Sequence, residues 1–286
     1  MKALHTSVWS GFFRDLPITE AMDELMKEGF RHSEYSISHI DSVMSCHSDA
    51  EKAGRQVAAE AAARGFSFPQ GHVHYMQGLC RQEDRDLIKR DIDLFQAIGI
   101  KNAVLHFNGG NELPYDEKIA TRMAAVRELS DYVKGTDMIL CLENLGSVPE
   151  THTAERLIGI IESIGSPNLG ICLDAGHLHL TNGRGETSQT HREFIEKAGS
   201  LLHALHVTDN NGVFDAHQMP FSARSGIDWK AFMSAIKDSA YDDLFNLEIP
   251  GEIHSSLALR RAKLHFIRIM IDEMMSEEFL SATICK

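Results

Sequence analysis

LCLENLG, residues 140–146, ends an apolar run on a glutamate and an asparagine. The run reaches back to 138 and reads as a β-strand bound for the interior, where an unpaired charge is costly. Glu143 therefore needs a cation, a proton or a metal beside it. Neither this strand nor those predicted next to it contains Lys or Arg.

Seven further β-rich runs flank it, at 3–9, 32–37, 67–75, 102–108, 169–174, 202–208 and 244–249. Between them, apolar residues recur at i, i+3, i+4 and i+7 over 18–29, 49–64, 83–98, 115–134, 153–164, 188–200, 228–239 and 255–278, which predicts helices. Asp49, Thr153 and Asp228 are start signals, and Gly65, Gly99 and Gly165 are stops. Strand and helix thus alternate eight times. With no G-x-G-x-x-G turn after the first strand, the pattern predicts an α/β fold, a single (β/α)8 TIM barrel spanning residues 1–286, rather than an open doubly wound sheet.

Composition agrees. The 286 residues are 43% hydrophobic and 24% charged, as in ordinary globular proteins. A net charge of −13 repels phosphate backbones and anionic membranes on average. Cys46, Cys80, Cys141, Cys172 and Cys285 are odd in number and lack C-x-x-C spacing, as reduced thiols do, with Cys141 and Cys172 placed in the core. The amino terminus has no signal-peptide pattern and no run reaches membrane-span length, so the expected location is cytoplasmic.

In a (β/α)8 barrel the site lies at the carboxyl ends of the strands. Those ends carry His72 and His74, His106, Glu143, Asp174 and His177, His206 and Glu248, and the long segment 209–227 adds Asp215 and His217. Strand alternation puts His72 and His74 on one face, with His74 expected to be the deeper. A lone histidine at a strand end is usually structural, and Asp174 alone reads equally as a helix cap. Acids or imidazoles at the same end of six successive strands point instead to a metal. Glu143, Asp174, His206 and Glu248 as the inner four offer mainly hard oxygen donors and one nitrogen, which suits a divalent ion: Mn, Mg, Co or Zn.

These pieces, LEN at 142–144, LDAGH at 173–177, LHVTDNNG at 205–212, DAH at 215–217 and LEIPG at 247–251, resemble the xylose isomerase-like barrel superfamily over essentially the whole chain. That superfamily holds sugar and sugar-phosphate isomerases and epimerases, inosose-processing enzymes and the endonuclease IV group. In the epimerase branch the resemblance implies one metal held by Glu143, Asp174, His206 and Glu248, with the two glutamates also exchanging protons with substrate and His177 near the sugar oxygens. In the endonuclease branch it implies up to three Zn held by His74, His106, Glu143, Asp174, His177, His206, Asp215, His217 and Glu248. FSARS, residues 221–225, replaces the family's tight P-G-x-G turn, which leaves the loop conformation and any role of Arg224 open.

The strand-end loops are poor in Lys and Arg, so a small carbohydrate, such as a ketose, aldose, inosose or related polyol, is expected in preference to nucleic acid. The expected reaction is proton transfer next to a carbonyl through a metal-stabilised enediolate, with Glu143 and Glu248 as base and acid. Abasic DNA cleavage by a tri-zinc centre, and a metal-dependent sugar lyase, dehydratase or C-glycoside-cleaving enzyme, are the alternatives. No basic glycine loop follows Gly251, which favours an unphosphorylated sugar. Trp9, Phe107 and Phe221 are candidate pocket walls, with Trp9 reading equally as core. The last helix, through Met274 and Met275, either pairs subunits in a homo-oligomer or closes the barrel.

Overall fold

The computed structural model describes residues 4–76 and 78–281, so Cys285 lies outside it. Eight strands, β1 (His5–Val8), β2 (His32–Tyr35), β3 (Ser67–His72), β4 (Asn102–Leu105), β5 (Ile139–Glu143), β6 (Leu169–Asp174), β7 (Leu202–Val207) and β8 (Leu244–Leu247), pair in parallel, each with its sequence neighbours, and β8 returns to β1. Only β1 and β2 meet without a ladder among the described residues. There the Ser33 hydroxyl donates to the Val8 carbonyl at 2.7 Å and laces the seam. The fold is the expected (β/α)8 barrel.

The helices are α1 (Ile18–Lys27), α2 (Ile37–Met44), α3 (Ala50–Arg64), α4 (Gln82–Ile98), α5 (Tyr115–Tyr132), α6 (Ala154–Ile164), α7 (Ala175–Gly183), α8 (His191–Ala198), α9 (Trp229–Asp238), α10 (Leu257–Met274) and α11 (Glu277–Ser281). Asp49, Thr153 and Asp228 cap α3, α6 and α9 by accepting from Lys52 N, Arg156 N and Ala231 N, each cap worth about 1 kcal/mol. α2 and α7 were not predicted, and the last predicted helix is split into α10 and α11. α7 reads AGHLHLTNG, too short and too rich in Gly, Thr and Asn to announce itself, and it is nucleated by Asp174, whose carboxylate accepts from His177 N at 2.7 Å.

Alternation along the strands builds the barrel interior in layers. Cys141, Cys172 and Ala204 sit two residues before Glu143, Asp174 and His206 and form, with Val104, a compact buried cluster beneath them. Small side chains there leave the layer above room for polar groups. The four described cysteines are free thiols. Met274 is fully buried in the chain's own core, so that methionine does not offer itself to a second subunit. No helix among the described residues is long and apolar enough to cross a membrane.

Candidate active site

Three carboxylates surround one imidazole nitrogen. His206 Nδ1, on β7, lies 3.3 Å from Glu143 Oε1 of β5, 3.3 Å from Glu248 Oε2 just past β8 and 3.9 Å from Asp174 Oδ2 of β6. The other ring nitrogen, Nε2, donates to Glu34 Oε2 at 2.8 Å. Because Glu34 holds the proton on Nε2, the Nδ1 lone pair is directed at the three carboxylates. Asp174 Oδ2 is buried and has no hydrogen-bond partner. A buried, unpaired carboxylate oxygen beside two more carboxylates and an imidazole lone pair is a donor set that fits a divalent cation.

Two further groups adjoin this one. Glu143 turns its second oxygen, Oε2, to His106 Nε2 at 2.8 Å and His72 Nε2 at 3.5 Å. On the other side, His177 Nε2 is 3.1 Å from Asp215 Oδ2, and His217 Nε2 is 3.5 Å from Asp215 Oδ1. Glu143 Oε1 and His177 Nδ1 are 3.2 Å apart, joining the groups. His72–His106–Glu143, Asp174–His206–Glu248 and His177–Asp215–His217 are each compact enough to hold one ion. They border a cavity of about 330 Å³ also walled by Tyr75, Leu145 and Leu180.

His74 does not join them, contrary to expectation. β3 ends at His72, so alternation stops there. His74 turns away to Asp91, which accepts from both its backbone N and Nδ1 at 2.8 and 2.7 Å, and its Nε2 meets Asp41 at 3.1 Å. His72 is the deeper histidine. The expected aromatic walls are also elsewhere: Trp9 donates to the Ile249 carbonyl, Phe107 packs under Arg122, and Phe221 lies half exposed against Trp229 and Phe279.

The loop that the sequence left open is held by one buried side chain. Asp209 accepts from Asn210 N, Ile227 N, Phe221 N and the Trp229 indole at 2.8 to 3.1 Å. Phe221 and Ser225, at the start and end of FSARS, take left-handed φ values of 68° and 62°, a region that favours glycine. Each costs about 1–2 kcal/mol. The Asp209 clamp offsets that strain, and the loop folds Asp215 and His217 over the cavity.

Residues 27–269 match the family model described as xylose isomerase-like TIM barrel. The chain belongs to this family. It is 26% identical over 180 residues to the D-psicose 3-epimerase of Enterocloster bolteae, an alignment covering 58% of this chain and 55% of that protein. The chain thus spans little more than half the length of that relative. Two solved structures share the fold over nearly the whole of both chains. A crystal structure of D-psicose 3-epimerase in the presence of D-fructose superposes with a TM-score of 0.74 at 14% identity, covering 98% of this chain and 100% of that one. The IOLI protein with a binding zinc atom superposes with 0.68 at 15% identity, covering 97% and 98%.

Electrostatics divides the carboxylates of this family member. Burial opposes ionisation of Glu143, but the imidazoles of His206 and His106 outweigh it and hold the carboxyl well below the usual range. Glu248 goes the other way: burial raises it, and His206 and His217 offset that only in part. Burial also raises Asp174, with the Glu143 charge adding to it. Burial alone would push His206 down, yet Cys172, Glu34, Glu248 and Glu143 around it push it well up. A place that favours a proton on Nδ1 this strongly favours a cation there for the same reason.

Sequence reading missed Glu34. Like Glu143 it is a glutamate inside a β-strand, but it sits mid-strand and not at the strand end where the site of such a barrel is built. Its partner Gln70 donates to it across β2 and β3.

Proposed function

We propose that this chain is a divalent-metal-dependent isomerase or epimerase of a small carbohydrate that moves a proton on a carbon next to a carbonyl. The observation that carries the reading is the ring of Glu143, Asp174 and Glu248 around His206 Nδ1, with Asp174 Oδ2 buried and unpartnered. The epimerase activity named for the Enterocloster relative and the zinc named for the IOLI protein support it.

Glu143, Asp174, His206 and Glu248 would hold the ion. A bound divalent cation supplies Lewis acidity towards a substrate carbonyl and its neighbouring hydroxyl. Glu143, which its imidazoles hold well below the usual carboxylate range, would be the base that takes the proton from carbon; Glu248, which burial raises, would be the group that returns one. Two carboxyls with opposite shifts in one cavity are the arrangement that acid–base work at neutral pH needs. Leu145 and Leu180 exclude water, and the cavity of about 330 Å³ falls in the range of small-molecule sites.

A second reading, phosphodiester hydrolysis by a three-zinc centre, is favoured by one observation. The eight site residues of the nine-ligand set other than His74, with His72 in its place, fall into three ion-sized groups that Glu143 and its neighbours connect. Against it stand the net charge of −13 and a cavity whose lining includes a single guanidinium, Arg184.

Metal content of protein purified without chelator, followed by two assays on the same sample, separates the readings. Hydrogen exchange between D-psicose or D-fructose and D₂O at the carbon next to the carbonyl is the expected result. Cleavage of an abasic duplex with no sugar exchange would replace the isomerase reading with the second one.

A further inference from the structure

A second polar pocket of about 610 Å³ adjoins the candidate active-site cavity, and Asn108 and Ser147 line both. We propose that the second pocket holds a second sugar ring, so that the substrate is a glycosylated ketose or a similar two-ring carbohydrate. The proposal rests on the isomerase reading above.

Three observations carry it. Asn108 stands at the junction with its amide N–H donating to the Tyr75 carbonyl at 3.1 Å, while its Oδ1 is buried without a partner. That oxygen is enclosed as the side chain stands, and a sugar hydroxyl crossing between the cavities would satisfy it once the Asn108 amide turns outward. Second, the Tyr115 side chain is 60% exposed at the pocket, an aromatic face of the kind on which the C–H face of a pyranose packs.

Third, the charges balance. The pocket contains Lys118 and Arg122, Glu112 and Glu150. Arg122 is committed, donating through Nε and Nη2 to the Gly109 carbonyl at 2.9 and 2.7 Å, with Glu150 3.7 Å from its Nη1. Two cations matched by two carboxylates make a poor phosphate site and a good one for a neutral polyol, whose hydroxyls both donate and accept.

The test uses isomaltulose, a fructose carrying a glucosyl ring, and D-fructose as the one-ring control. Saturation-transfer NMR reads binding ring by ring, and deuterium exchange next to the carbonyl reads turnover. The expected result is saturation of the glucosyl protons of isomaltulose, a kcat/KM for its exchange at least tenfold above that of fructose, and a tenfold or greater fall in that ratio in Tyr115→Ala. Absence of glucosyl saturation in the wild type, an unchanged ratio in Tyr115→Ala, or displacement of isomaltulose by millimolar inorganic phosphate overturns the proposal. If glucosyl saturation is seen and depends on Tyr115 while neither sugar exchanges hydrogen, the pocket stands and the isomerase reading falls.

Discussion

Two buried regions of this barrel treat histidine in opposite ways. His206, at the strand ends, faces carboxylates on both ring nitrogens and is pushed well above its ordinary range. His39, on α2, donates from Nε2 to the Leu16 carbonyl at 3.1 Å and meets only the Ser10 and Ser36 hydroxyls at 3.0 Å; burial pushes it down to about 4. His191, which donates to the Ala175 carbonyl and packs on Phe232, is also pushed by burial down to about 4. Desolvation is common to all three. What sets His206 apart is the number of carboxylates against its ring, and they gather where the strands end.

Within the cluster the balance is finer. His106 goes down to about 4 because burial outruns its contact with Glu143, while His72, against the same carboxylate, goes up. Neighbouring imidazoles therefore respond differently to one carboxylate.

The largest break in the comparison comes from removing the anion at its centre. Glu143→Gln is expected to lower deuterium exchange by about 10³-fold, within the span of lost acid–base catalysis, with circular dichroism confirming the fold. Exchange at the wild-type rate would end its assignment as base.

Acid tests the other region. His39 and His191 stay neutral in the fold and take protons in the unfolded chain, so unfolding binds protons between pH 6.5 and about 4. Their contribution is fully present above pH 6.5 and is lost as pH falls, on the order of 2–4 kcal/mol each by pH 4. Urea unfolding of wild type and His39→Gln at pH 7, 5 and 4 should show the variant losing less stability; parallel curves would remove His39 from the account.

Next in size is the residue behind His206. Glu34→Gln leaves the cavity lining intact but removes the carboxylate that fixes the His206 tautomer, and is expected to weaken divalent-metal binding 10–100-fold. Competition with a chelating dye measures this without substrate. The smallest effect separates two histidines two residues apart: His72→Ala should alter metal affinity in the same assay, whereas His74→Ala should leave it within about twofold and cost about 1–3 kcal/mol, because buried Asp91 loses the imidazole and keeps only the backbone N–H of residue 74.

The sequence by itself determined the barrel and which acids and imidazoles share its carboxyl end. Eight alternations of period 2 and period 3.6 have one good closed solution, and acids at the ends of parallel strands then share an end. Glu143, Asp174, His206 and Glu248 were legible for that reason. Tertiary structure decided the rest. Where β3 stops determines that His72 and not His74 enters the cavity. Glu34 and His206 are 172 positions apart, and only closing β2 and β7 into one barrel brings a mid-strand glutamate behind that imidazole. The conformation of FSARS depends on N–H groups from three places converging on Asp209. Local pattern reports which face a residue occupies; which groups share that face across the barrel is set by register and closure, which no single stretch contains.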